Sequence, residues 1–170
     1  MSETAMAEES LVKARQAGMN YLAGRDRSVH EMRQKLQGME FDADLVEQVI
    51  ADFERLNLVD DRALARRWVE VRVEGRGAGP AKLAQDLWRK GIERSIVDEV
   101  LEEFADALGS VEKAVELLRK QSRRYAGLEA QKAQRRMYDF LARRGYAEDV
   151  ITKAVKQVWE EIRENDLQGD

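Results

Sequence analysis

The residues of this chain best equipped for chemistry are its arginines, because a planar guanidinium fork matches the geometry of phosphate and carboxylate. Their placement has a pattern. Gly24-Arg25 recurs 51 residues later as Gly75-Arg76, and Arg123, Arg124 and Tyr125 stand in the corresponding turn further on. Arg27 and Arg72 lie close to the first two of these junctions. Lys82, Arg89 and Lys90 follow the second, and Arg143 and Arg144 follow the third. Such residues can grip a polyanion or an acidic protein groove, and they are the candidate partner-binding set. The competing reading is local: a cation near a helix C-terminus complements the dipole or pairs with a neighbour.

Other chemistry finds little support. There is no cysteine, so disulfides, thiolate metal sites and thiol nucleophiles are excluded. The single histidine, His30, has no second imidazole or thiolate to share a zinc ion with, and reads as a first-turn helix residue. Gly75, Gly77 and Gly79 precede a helix but follow another helix rather than a strand, so they do not fit a dinucleotide-binding turn. Asp60 and Asp61 are better explained as a helix cap than as catalytic carboxylates. No phosphate-binding loop and no nucleophile–base pair is found. The chain is expected to be no enzyme and to carry neither metal nor cofactor.

The elements that must hold these arginines are helices. Of 170 residues, 44% are hydrophobic and 36% charged, and there is one proline, Pro80. Sliding Met32 to Phe53 by 51 residues puts Met32 on Leu83, Leu36 on Leu87, Phe41 on Ile92 and Leu45 on Ile96. Val49 then falls on Val100, Ile50 on Leu101 and Phe53 on Phe104. A further shift of 54 puts Leu83 on Met137, Leu87 on Leu141, Gly91 on Gly145 and Ile92 on Tyr146. Ile96, Leu101 and Phe104 meet Val150, Val155 and Val158. Ordered apolar matches without a gap mark internal repeats.

Each repeat reads as three helices. Leading helices are expected over about 10–23, 61–74 and 110–124. Ser28 with Glu31 forms a capping box and Ser95 with Asp98 a near equivalent. Asp60 or Asp61 caps the fourth helix, Gly79-Pro80 opens the fifth, and Gly91 and Gly145 supply left-handed turns. The expected fold class is all-α, with three tandem three-helix repeats stacked into an elongated, curved array. The expected divisions are a flexible acidic start over 1–9, repeats over 10–58, 59–108 and 109–162, and a flexible tail over 163–170. Trp68 is expected in the core with Leu64 and Val71, Trp159 beside core Val158, and Trp88 partly exposed. For Trp88 and Tyr125, packing between modules is favoured over base stacking.

Net charge is −4, yet the charges are segregated. Residues 40–60 carry seven acids against Arg55. Residues 62–94 carry nine basic residues against four acidic, and residues 113–144 ten against three. Stacked repeats would align these into a positive stripe able to attract a polyanion. No apolar run is long enough to span a bilayer. The expectation is a cytoplasmic monomer with no membrane partner.

Four motifs on this frame resemble the RecX family. Arg25-Asp26-Arg27-Ser28 with Glu31 and Leu36 resembles R-x-[RK]-S-x-x-E-L-x-x-K-L, with Met32 where leucine is usual. The run from Leu56 to Asp61, with Ala65, is similar to G-Y-L-D-D-x-R-F-A, departing at Asn57, Leu58 and Leu64. Gly77 to Pro80 with Leu83, Leu87 and Lys90-Gly91-Ile92 resembles a third block, in which Asp86 replaces a common glutamate. Phe140-Leu141 with Arg143-Arg144-Gly145-Tyr146 matches the third-repeat signature closely. The resemblance runs from about Leu11 to Trp159. It implies a regulator that binds RecA filaments on DNA and suppresses their ATP hydrolysis, strand exchange and co-protease activity, limiting recombination and the SOS response. Some members also bind single- or double-stranded DNA. No residue-level site is carried over. A general nucleic-acid-binding helical protein and a helical-repeat adaptor for another protein remain the alternatives.

Overall fold

The computed structural model describes residues 3–75 and 77–168, and among them every regular element is helical. The first repeat holds α1 (Glu3–Leu22), α2 (Val29–Gln37) and α3 (Ala43–Arg55). The second holds α4 (Asp61–Gly75), α5 (Pro80–Arg89), α6 (Arg94–Glu103) and the short α7 (Ala105–Leu108). The third holds α8 (Val111–Arg119), a 3₁₀ turn (Ser122–Arg124), α9 (Ala130–Ala142) and α10 (Glu148–Gln168). The polar segments at 1–9 and 163–170 continue α1 and α10 as far as they are described.

Helix starts follow the local signals in most places. The Ser28 hydroxyl accepts from the Glu31 N–H, and the Glu31 carboxylate accepts from the Ser28 N–H, a complete capping box. Asp60 accepts from the Ala63 N–H at 2.9 Å and caps α4. Ser95 does not cap: α6 begins one residue before it, at Arg94, and its hydroxyl donates to Glu93. The expected leading helix of repeat three also stops early, at Arg119, and tightens into the 3₁₀ turn that carries Arg123 and Arg124. The third helix of repeat two breaks at Phe104.

The repeat frame is visible in burial. Met32, Leu83 and Met137 are each fully buried, as are Leu36, Leu87 and Leu141. Val46, Val97 and Ile151, one residue beyond the positions matched by sliding, form another buried set. Burying each such side chain contributes roughly 1.5–3 kcal/mol. Val71 corrects the sequence reading: it is 66% exposed, and Trp68 on the same helix is only half-buried. Val71 lies two turns beyond Leu64 on nearly the same face, so rotation about the helix does not separate them; the residues α4 buries, Leu64, Ala65 and Val69, all come earlier along it.

The chain forms two compact units, and their limits cut across the repeats. One comprises residues 1–67 with 87–97, the other residues 68–86 with 98–170. The same device operates inside each unit. In the first, the turn after α5 docks on the start of α2: the Ser28 hydroxyl donates to the Lys90 carbonyl, and Gly91 packs against the His30 ring. In the second, the turn after α9 docks on the start of α5: the Gly79 N–H donates to the Arg144 carbonyl at 2.7 Å, and the Ala81 N–H to Gly145 at 3.4 Å. Shifts of 51 and 54 residues relate the two docks. Both docking turns need φ near +74° and +82°, at Gly91 and Gly145, where a Cβ would also meet the opposing chain. The equivalent turn in repeat one has Glu40 at φ 63°, and its side chain is exposed, so there a side chain fits.

Asp61 completes the first dock by accepting from the Val29 N–H at 2.9 Å. Burial raises its carboxyl above the ordinary 3.8; the Val29 hydrogen bond opposes this, and Glu54, Asp60 and Glu31 add repulsion. A carboxyl held above its unfolded value contributes stability that is full below that value and lost as pH rises through the folded one. Asp61→Asn does not titrate there, so its stability relative to the parent should improve from pH 4 to pH 7. A pH-independent difference between their urea midpoints would refute this. Asp61→Ala, which leaves the Val29 amide without its acceptor, should cost about 1–3 kcal/mol.

Candidate anion-binding surface

Most cations of the chain are already engaged. Arg15 pairs with Asp52, Arg33 with Glu47, Arg67 with Asp26 at 2.8 Å, and Arg119 with Glu161 at 2.6 Å. An arginine committed to a carboxylate offers less to an incoming anion, so the informative cations are those without one.

The candidates of the first two repeats are largely turned onto their own chain. Arg25 contacts Glu31 at 3.1 Å, and Lys82 contacts Asp86 at 2.8 Å. The Lys90 side chain is 11% exposed and lies 3.8 Å from Glu31. Arg89 is exposed on α5. Arg76 lies outside the described residues. Arg27, Arg72 and Arg144 share an arrangement, and in the last two the aromatic residue stands four positions earlier, a spacing the sequence shows. Each guanidinium covers an aromatic ring: Arg27 over Tyr21 at 3.9 Å, Arg72 over Trp68 at 3.4 Å, and Arg144 over Phe140 at 3.7 Å. Each also donates to the carbonyl of that aromatic residue, at 3.3, 3.4 and 3.5 Å. Cation–π contacts at such sites are worth about 0.5–1 kcal/mol and hold the guanidinium in one orientation.

The third repeat differs. The 3₁₀ turn brings Arg124 towards the end of α9, where Arg136 and Arg143 lie seven residues apart, two helical turns along one face. Together with Gln121, Tyr125 and Phe140 they line a hollow of about 320 Å³. Arg124 donates to the Gln121 side chain at 3.1 Å. None of Arg124, Arg136 and Arg143 has a carboxylate within ion-pair distance among the described residues. Asp139 lines the same hollow and is the one acid there. Arg123, on the same turn, is exposed but does not line the hollow.

Tyr125 forms the floor of this site and is 4% exposed, packed with Val115, Leu118 and Met137 in the core of the third repeat. Burial raises its hydroxyl above the ordinary value, and the charges of Arg124, Arg144 and Arg143 pull it back. Tyr125 is therefore a packing residue rather than an open stacking platform. It also senses a positive field from three of the predicted arginines. Such a field suits phosphate or carboxylate oxygens, which accept from guanidinium donors in bidentate pairs.

The sequence names Arg124 and Arg143 as candidates without bringing them together, and it misses Arg136. Its seven-residue spacing from Arg143 was the available signal. Among the described residues no group of acids or histidines is arranged to hold a metal ion. Among the described residues no helix is long and apolar enough to cross a membrane.

Comparison with known proteins follows the repeat frame. The profile of the first RecX three-helix domain matches residues 14–53, that of the second 60–101 and that of the third 110–155. The Regulatory protein RecX of Streptomyces coelicolor is 33% identical over 153 residues, covering 90% of this chain and 81% of that one. The Regulatory protein RecX of Trichlorobacter lovleyi is 36% identical over 140 residues, covering 79% and 88%. The crystal structure of RecX from Lactobacillus salivarius superposes with a TM-score of 0.81 at 26% identity, covering 89% of this chain and 97% of that one. With three family domains in order along one helical chain, and relatives matched over more than four-fifths of their length, this protein belongs to the RecX family of regulatory proteins.

Proposed function

We propose that this protein binds RecA filaments assembled on DNA and suppresses their ATP hydrolysis, strand exchange and co-protease activity, so limiting recombination and the SOS response. The observation that carries the reading is the cluster of Arg124, Arg136 and Arg143, three guanidinium groups converging on one hollow without carboxylate partners among the described residues. The three modules, over 10–58, 59–108 and 109–162, act by binding and not by catalysis, as a monomer in the cytoplasm. Inhibition requires only that the protein bind one filament state more tightly than another. The cations supply attraction, and neighbouring surface supplies discrimination between states.

The test is a titration into RecA, ATP and single-stranded DNA. Hydrolysis should fall progressively and approach a plateau. A rate unchanged at several-fold excess over RecA overturns the proposal. The same arginines suit bare nucleic acid, which makes general DNA binding the second reading. Tight binding to free DNA with a steep salt dependence would favour it. Weak binding to free DNA beside strong binding to the filament favours the filament reading.

A further inference from the structure

A second, larger hollow of about 690 Å³ runs between α9 and α10, adjoining the arginine cluster through Asp139, which lines both. Its volume is within the roughly 300–1,000 Å³ of small-molecule sites. It is built from two stripes. On α9, Gln131, Arg135 and Tyr138 follow at i, i+4 and i+7. On α10, Thr152, Lys156, Trp159 and Arg163 follow at i, i+4, i+7 and i+11. The opposite face of α9, Ala133, Met137 and Leu141, is fully buried, so this stripe is turned outward by the packing of the helix.

The composition of the hollow narrows its occupant. Its apolar surface is mainly two aromatic rings, Tyr138, which is 38% exposed, and the half-buried Trp159; Val155 is the one aliphatic residue lining it. A docked amphipathic helix needs a row of aliphatic-lined pockets at its own repeat, and those are missing from this lining. Arg135, Lys156 and Arg163 have no carboxylate within ion-pair distance among the described residues. Counting both hollows, six cations face two carboxylates, Asp139 and Glu160. Aromatic faces to stack on, glutamine amides with both a donor and an acceptor, and an excess of cations alongside suit unpaired nucleobases joined by phosphates.

We infer that the α9–α10 hollow is a base-stacking site for single-stranded nucleic acid, with Tyr138 and Trp159 holding bases while Arg124, Arg136 and Arg143 next to it hold the backbone. The inference deepens the function proposed above and rests on it for the class of partner. Stacking tolerates any base, because every base has a π-face, so the site is sequence-independent.

The test uses the full-length chain carrying Trp68→Phe and Trp88→Phe, which leaves Trp159 as the one indole. Titration with a short oligothymidylate should quench Trp159 fluorescence. An abasic strand of equal length, which keeps the phosphates, should bind about five- to a hundredfold more weakly and leave the emission unchanged. Tyr138→Ala should weaken oligothymidylate binding over the same range, and Tyr138→Phe should not. Equal affinity for the abasic strand, or quenching by polyglutamate in place of the oligonucleotide, overturns the inference; the latter would make the hollow an acidic-peptide site. If Tyr138→Ala still suppresses RecA ATP hydrolysis and the stacking signals are absent, only this inference fails. If the stacking signals appear while ATP hydrolysis is untouched by the parent protein, the functional proposal alone fails.

Discussion

Replacing Gly145 with alanine should lower stability by about 3 kcal/mol, through two separable penalties. The first is conformational: at φ +82° a side chain is held in the left-handed region, which costs of order 1–3 kcal/mol. The second is steric. The new Cβ would lie 2.8 Å from the Lys82 Cβ and 3.1 Å from its Cα, at the point where the turn after α9 docks on the start of α5. Backbone on the opposing side cannot rotate away, and forced shifts of this kind typically cost about 1–3 kcal/mol. In a chain of this size 3 kcal/mol corresponds to a melting point lower by about 6–12 °C. Gly127→Ala separates the penalties, because Gly127 has φ +74° but nothing within 4 Å of its Cβ position. It should show the conformational loss alone. Equal losses for the two variants in thermal denaturation would mean that the dock contributes no steric constraint.

The second large effect is on binding. Reversing Arg124, Arg136 and Arg143 together to glutamate should weaken association with RecA filaments by on the order of a hundredfold while leaving the circular dichroism spectrum and melting point close to those of the parent. The fold should survive because these guanidinium groups hold no described carboxylate, so their loss leaves no buried charge uncompensated. Binding should suffer because each is available to an anion. A softer version, the triple change to glutamine, should flatten the salt dependence of DNA binding by about one unit of log–log slope per lost phosphate contact. Lys13→Glu serves as the control: Lys13 is exposed and pairs with Glu9 one turn away, and its reversal should leave binding unchanged. A loss for Lys13→Glu equal to the triple variant's loss per reversed charge would show that net charge, and not this cluster, governs association.

The arginines show why a surface site is hard to read from a chain. Arg25, Arg72 and Arg124 look alike in sequence, each at or near the end of a repeat's first helix. In the folded protein Arg25 finds Glu31, Arg72 lies over Trp68, and only Arg124 faces a hollow shared with two further arginines. Spacing along one helix can offer Arg72 its Trp68, but the meeting of Arg124 with Arg136 and Arg143 joins separate elements, which no local spacing records. The same holds for Tyr138 and Trp159, which approach one hollow from different helices and carry no motif. Trp68 and Val71 mark the opposite limit. Their spacing fits one face of α4, yet Val71 is exposed, because spacing gives the face of a helix and not how far along it the packed neighbours reach.

By itself the sequence determined the helical class, the three-fold repetition, the capping of α2 and α4, the glycine turns at Gly91 and Gly145, and the family. All of these rest on periodicity and on backbone rules that act within a few residues, so a linear reading suffices. Tertiary structure alone decided that each docking turn closes on the start of a second helix from the preceding repeat, which charges pair between helices, and which arginines gather around one hollow. Those outcomes depend on groups from separate helices meeting within a few ångströms, and only the packing of the helices fixes such distances.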